Sequence, residues 1–295
     1  IGTYQASQLD SRKLSALMTG HDVEFGVPEN HIVADATPVL EMKHVKASKV
    51  SDVTLRVQAG EVVGMSGLLG SGRTETALTL FGLNALTGGS IAIDGQPAAI
   101  RNPRDAIANG IALVPEDRHR EGLFLDRNLL QNSAASVLER ISSRFGVVNV
   151  KKERQIGEDT LVNLQVNTRD LALLAQSLSG GNQQKVLLGK WVATAPKLLI
   201  LDSPTVGVDV GSKSQIYEII RQLSSRGIAI LVISDEEEEL LAVCNRIAIF
   251  VQGAVTTELS GEQLKPGFSA IYRNADRNGV GVVDVAAHPT NKEVA

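Results

Sequence analysis

Aromatic residues are scarce, cysteine is nearly missing, and positive charge is not in excess. Phe, Trp and Tyr together make up 3% of the chain, too little for the base-stacking platforms that hold single-stranded nucleic acid. Lys and Arg total 29 against 33 Asp and Glu, a net charge of −4. With a pI near 5.8, the chain lacks the basic footprint of a nucleic-acid binder, and no nucleic-acid partner is expected. The lone cysteine, Cys244, rules out an internal disulfide framework and suits a reducing compartment. No signal-peptide pattern stands at the start of the sequence. Apolar runs are short: Ile228 to Ile233 falls far below the ~20 residues that span a bilayer, so a membrane role has to come through a partner. His21, His31, His44, His119 and His288 are scattered and suggest no ligand cluster.

What is present is an ordinary apolar fraction, 43% of 295 residues, enough for a sizeable core in one or two domains. The chain is organised around Gly67-Leu68-Leu69-Gly70-Ser71-Gly72-Arg73-Thr74. This segment follows the apolar run Val62 to Met65 and opens a stretch in which Ala77, Leu78 and Phe81 share a helical face. Strand, Gly-rich loop and helix form the setting of a phosphate-binding P-loop. Gly67, Gly70, Ser71 and Gly72 let backbone N–H groups approach phosphate oxygens, and the helix adds its positive end. Thr74 supplies a hydroxyl for Mg²⁺. Arg73 stands at the Lys position and keeps the charge on a larger, planar group. Taken alone, the segment fits a ligand-free turn equally well.

Residues 1–25 read as the end of a hairpin and a short helix, and 26–38 as a linker with two prolines; from composition alone a mobile N-terminal arm of a single domain accounts for them equally well. Val39 to Val45 alternates, placing Val39, Glu41, Lys43 and Val45 on one side and Leu40, Met42 and His44 on the other. With Val53 to Val57 it predicts a pair of antiparallel strands. Ser90 to Ile93 predicts another strand, with a hairpin turn at Asp94-Gly95. Ile111 to Val114, Leu198 to Leu201 and Ile228 to Ile233 are continuous apolar runs separated by helical patterns. They predict an α/β protein with a buried parallel sheet. Residues 124–190 read as mostly helical, Arg246 to Glu258 as a final hairpin, and 266–295 as a polar, disordered tail.

Two further motifs bear on the loop. Leu178-Ser179-Gly180-Gly181-Asn182-Gln183-Gln184-Lys185 starts a long helical pattern with free backbone N–H groups, though by itself a plain Gly-rich helix start with Ser179 as N-cap is the better account of it. Leu198 to Leu201 ends in Asp202-Ser203, where a carboxylate can hold Mg²⁺ beside the loop hydroxyl. The three motifs in this order resemble the ATP-binding cassette ATPases. Gly67 to Glu75, Pro115-Glu116-Asp117-Arg118 and Leu178 to Val186 look like the second cassette of the double-cassette ATPases of ribose-, galactose- and arabinose-type sugar importers. The resemblance covers 39–265. It implies an ABC-type P-loop core with an antiparallel β subdomain and a helical signature subdomain at about 124–190. It makes 1–25 the tail of a preceding cassette. ATP and Mg²⁺ are the implied cofactors, with Glu75 and Glu116 joining the loop and Thr74, Glu116 and Asp202 around the metal. Ser179, Gly180, Gly181 and Asn182, the last where Gln is usual, would form the signature. The implied partners are a first cassette, membrane permease subunits and, indirectly, a sugar-binding protein. The implied location is the cytoplasmic face of the inner membrane.

The departures point to an impaired site. The family's catalytic Glu is replaced by Ser203, which cannot act as a general base. Its switch His is replaced by Asp235, an anion expected to repel a γ-phosphate. The adenine-stacking aromatic expected near Ala47 or Ser48 is missing. Asp235 to Glu239 also reads as a helix start, with Ser234 and Glu237 as a capping box. Cys244 and Trp191 read as packing residues, and Arg118 and Arg120 as a solvated loop face.

Overall fold

The computed structural model describes residues 36–271. The expectations for 1–25, for 26–35 of the linker and for 272–295 lie outside the described residues. Strand β3, Val62–Gly67, is buried along its whole length because parallel neighbours flank it on both sides. These are β8, Ala229–Ile233, and β9, Arg246–Val251. Beyond β8 come β7, Leu198–Asp202, and β6, Ile111–Val114, also parallel. On the other side, β9 pairs antiparallel with β10, Ala254–Ser260. A single parallel bridge then leads to β2, Val50–Val57. Next come β1, Leu40–Ala47, β4, Gly88–Ile93, and β5, Gln96–Pro97, all antiparallel.

Side chains of the parallel strands alternate between two cores. Val62, Ala112, Leu199, Ile230 and Ile247 face one, together with Leu187, Leu188, Ile216 and Ile220. Met65, Leu113, Ile200, Leu231 and Phe250 face the other, with Leu40, Leu55, Ala77 and Leu80. Burial on both faces is why these strands read as unbroken apolar runs. At Asp94-Gly95 both residues have positive φ, 49° and 72°, as a tight hairpin turn requires. Between residues 124 and 192 lie the helices α3, Leu129–Ala134, α4, Leu138–Ile141, α5, Val150–Asn163, and α6, Gly180–Val192. Helices α1, Arg73–Leu80, and α2, Pro103–Ala108, precede them. Helices α7, Val210–Ser225, and α8, Glu237–Val243, follow. Among the described residues no helix is long and apolar enough to cross a membrane.

Two local expectations are corrected. The alternation in β1 breaks between Met42 and Val45, where the pairing shifts register and His44 takes φ 48°. The irregularity turns Val45 into the core beside Leu40 and Met42 and leaves His44 exposed. The capping box at Ser234 does not form. Its hydroxyl accepts from Glu236 N–H at 3.0 Å, and α8 is N-capped by Glu236 without a side-chain bond. Cys244 is fully buried, and Trp191 packs edge-on against Phe81 with ring centroids 5.4 Å apart.

Candidate functional site

The sheet order places four loops at one edge. Met65 and Asp202 both stand opposite Ile233, and Leu201 opposite Val114. The chain therefore leaves β3, β8, β7 and β6 at the same level, into the Gly-rich loop, Ser234-Asp235, Ser203 and Pro115-Glu116. Ligands of open α/β sheets collect at the carboxyl ends of such strands.

The loop has the backbone of a phosphate cradle. A Cβ on Gly67 would lie 2.4 Å from Phe250 O, so no larger residue fits against β9. Gly72 N-caps α1 at φ 98°, and a Cβ there would lie 2.7 Å from Lys49 O. Ser71 N–H donates to Leu68 O at 3.0 Å, and Ser71 O accepts from Gly253 N–H at 2.9 Å, tying the loop to the β9–β10 turn. Leu68, Leu69 and Gly70 are exposed at its tip.

Arg73 is 6% exposed and spends its guanidinium on protein acceptors. It donates to Ser71 Oγ at 3.2 Å, Ser234 O at 3.1 Å, Leu68 O at 3.4 Å and Asp235 Oδ1 at 2.7 Å. Asp235 is therefore an ion-paired anion rather than the isolated one its position suggested. Ser203 sits at φ 49°, donates its N–H to Ile233 O at 2.9 Å and reaches Asp202 Oδ1 with its hydroxyl at 3.4 Å.

Thr74, Glu116 and Asp202 come together in a cleft of about 710 Å³, also lined by Arg118, Trp191 and Gly207. Thr74 is exposed and lines the cleft with the Asp202 carboxylate. Burial lifts the Asp202 carboxyl to about 6, and the charge of Glu116 adds to the lift. Thr74, Arg73 and Ser203 act the other way. Among the described residues no cluster of three His, Cys, Asp or Glu forms a metal cage. A hydroxyl and two carboxylates fit Mg²⁺, which keeps waters and phosphates in its shell instead of a full protein cage. The bare loop backbone fits a phosphate chain. Glu75, placed with the loop by sequence, pairs with Lys49 at 3.1 Å and does not line the cleft. Ala47 and Ser48, where an aromatic was expected, lie where β1 turns into β2.

Residues 50–206 match the ABC transporter family. The chain belongs to that family. It is 40% identical over 260 residues to the ribose import ATP-binding protein RbsA of Chelativorans sp. (strain BNC1), covering 88% of this chain and 51% of that one. It is 40% identical over 257 residues to a putative ribose/galactose/methyl galactoside import ATP-binding protein of Rhizobium etli, covering 86% and 48%. The chain thus spans about half the length of these relatives. A nucleotide-free ATP-binding cassette from an ABC transporter superposes with a TM-score of 0.68 at 21% identity, over 80% of this chain and 98% of that one. An ADP-bound cassette gives 0.69 at 19% identity, over 80% and 98%. The fold is that of an ABC ATPase.

Within the cassette, the signature segment stands apart from the loop. Ser179 is exposed and N-caps α6, making no side-chain capping bond. Its hydroxyl accepts from Asn182 Nδ2 at 3.0 Å, while Asn182 Oδ1 accepts from Asn167 N–H at 2.9 Å. Gly181 is needed for packing, since a Cβ there would lie 2.2 Å from Ser212 Oγ. None of the four lines the cleft beside the P-loop.

Arg118 is a further correction. Sequence reading made it a solvated loop residue, but it stitches three motifs together. It donates to Val206 O at 2.7 Å, Gly207 O at 3.1 Å and Gln183 Oε1 at 3.4 Å, beneath Gly180. Its partners lie 65 to 89 residues away, so no local signal could reveal them. Arg120 does remain exposed.

Proposed function

We propose that residues 39–265 form the second ATP-binding cassette of a simple-sugar importer, taking Mg²⁺ and ATP and helping to drive uptake through a membrane permease. The relatives are ribose and galactose import ATP-binding proteins, which supports the substrate class. In this reading the chain sits at the cytoplasmic face of the inner membrane against permease subunits and a first cassette, with a sugar-binding protein as an indirect partner. Thr74, Asp202 and Glu116 would hold the metal, and the metal would supply charge neutralisation for the phosphates.

One observation carries the division of labour. The sheet edge that carries Thr74, Asp202 and Glu116 has Ser203 and an already paired Asp235 at the two catalytic positions, both at the rim and neither among the residues that line the cleft. The intact Ser179-Gly180-Gly181 lies outside that cleft. The chain's own site is thus the impaired one, and its signature completes a partner cassette's site. A serine hydroxyl cannot supply general-base help, worth ~10²–10⁴ in rate. A second reading, a regulatory nucleotide-binding module without turnover, draws on the same Ser203. Co-expression with a simple-sugar importer permease and a full first cassette separates the two. Co-purification and sugar-stimulated ATPase activity support the transporter, whereas nucleotide binding without any permease association supports the module.

A further inference from the structure

The Arg73–Asp235 pair joins the phosphate loop to the end of β8 across 162 residues of sequence. It is an asymmetric pair. The Arg73 side chain is 7% exposed and the Asp235 side chain 71% exposed. The cation is buried among the loop's own acceptors and the Ser234 carbonyl, while the carboxylate that pairs with it is largely open to solvent. A P-loop lysine normally lends its charge to the outer phosphates. Here that charge is committed to Asp235 and to the carbonyls of Leu68 and Ser234.

The surroundings do not replace it. Asp202 lies at the end of the next strand and Glu116 at the end of the one after, so carboxylates follow one another along the edge. Arg118, which lines the neighbouring cleft, is held by the carbonyls of Val206 and Gly207. Lys49 is paired with Glu75. What the loop still offers without charge competition is its backbone N–H groups and the N-terminus of α1, which suit the inner phosphates. A further phosphate, reaching out of the loop toward β8, meets a carboxylate where attraction is needed.

Resting on the nucleotide-binding reading above, we propose that the Arg73–Asp235 pair makes this a site for nucleoside diphosphate. The loop backbone holds two phosphates, and the Asp235 carboxylate disfavours the third. In an assembled transporter such a site would keep ADP while its partner site turns over.

Calorimetric titration of the full chain with Mg-ADP and with the magnesium complex of a non-hydrolysable ATP analogue tests this. The variants are Asp235→Asn, which keeps the shape and removes the charge, and Asp235→Glu, which keeps the charge; thermal unfolding checks that each is folded. The wild type should prefer the diphosphate on the order of tenfold, as expected for one like-charge contact. Asp235→Asn should erase most of that preference by gaining affinity for the triphosphate, with ADP affinity little changed, and Asp235→Glu should retain it. A wild type that prefers the triphosphate, or a preference that Asp235→Asn leaves unaltered, overturns the proposal while the nucleotide-binding reading stands. Failure of the wild type and both variants to bind either nucleotide overturns that reading and the proposal together.

Discussion

Replacing Asp202 by Asn should make the metal-free protein more stable and the metal-bound one less so. Asp202 is 5% exposed at the end of β7, and burial lifts its carboxyl from 3.8 to about 6. The folded chain therefore holds this proton more tightly than the unfolded chain. The resulting penalty is absent below pH 3.8, grows through the window from 3.8 to about 6, and is complete above it. At pH 7.5 it is worth up to roughly 3 kcal/mol. Asn at this position still accepts the Ser203 hydroxyl, without a charge to desolvate. In chelator, at pH 7.5, Asp202→Asn should raise the melting temperature by on the order of 5–10 °C, given ~2–4 °C per kcal/mol for a domain of this size. Near pH 4.5, where the wild-type carboxyl is already mostly protonated, most of the gain should vanish. Adding Mg-ADP should then reverse the order. A ligand at 100 times its Kd contributes ~2.7 kcal/mol, and the variant lacks the carboxylate proposed to hold the metal. Thermal denaturation at two pH values, with chelator and with Mg-nucleotide, checks all of this. A gain of the same size at both pH values, or a variant less stable than wild type in chelator at pH 7.5, would refute the reasoning.

The isolated chain should release phosphate far below a typical enzyme median of ~10 s⁻¹, and Ser203→Glu alone should not restore turnover, because the γ-phosphate position still faces the paired Asp235; a large rate gain from the single change in a phosphate-release assay would contradict this. Arg118→Ala should destabilise the cassette by about 0.5–1.5 kcal/mol through loss of its bonds to the surface carbonyls of Val206 and Gly207, measured by urea unfolding, whereas Arg120→Ala should be silent. Gly181→Ala should cost about 1–3 kcal/mol from overpacking against Ser212, so a signature test needs the exposed Ser179 instead. In a reconstituted complex, Ser179→Arg should lower sugar-coupled ATPase activity ~10²–10³-fold while leaving the melting temperature of the isolated chain unchanged; unimpaired uptake would speak against a shared site.

The sequence by itself determined what depends on near neighbours. The strand–glycine loop–helix unit was legible because strand, glycines and helix start follow one another within a few residues. The parallel strands were legible because burial on both faces leaves unbroken apolar runs, and the Asp94-Gly95 turn because those residues tolerate positive φ. The substitutions at Arg73, Ser203 and Asp235 were visible as departures, but their meaning was not. Only the sheet order decided it, by bringing the ends of β3 and β8 side by side so that Arg73 meets Asp235. Read along the chain, Asp235 is an unshielded anion; in the fold its charge is paired and directed outward. The same holds for Arg118, whose partners arrive from α6 and from the loop after β7. It holds on a smaller scale for Val45, where pairing with β2 and β4 forces a register shift that alternation could not show. An ion pair or a bulge depends on which backbone lies alongside, and that is set by the packing of distant segments.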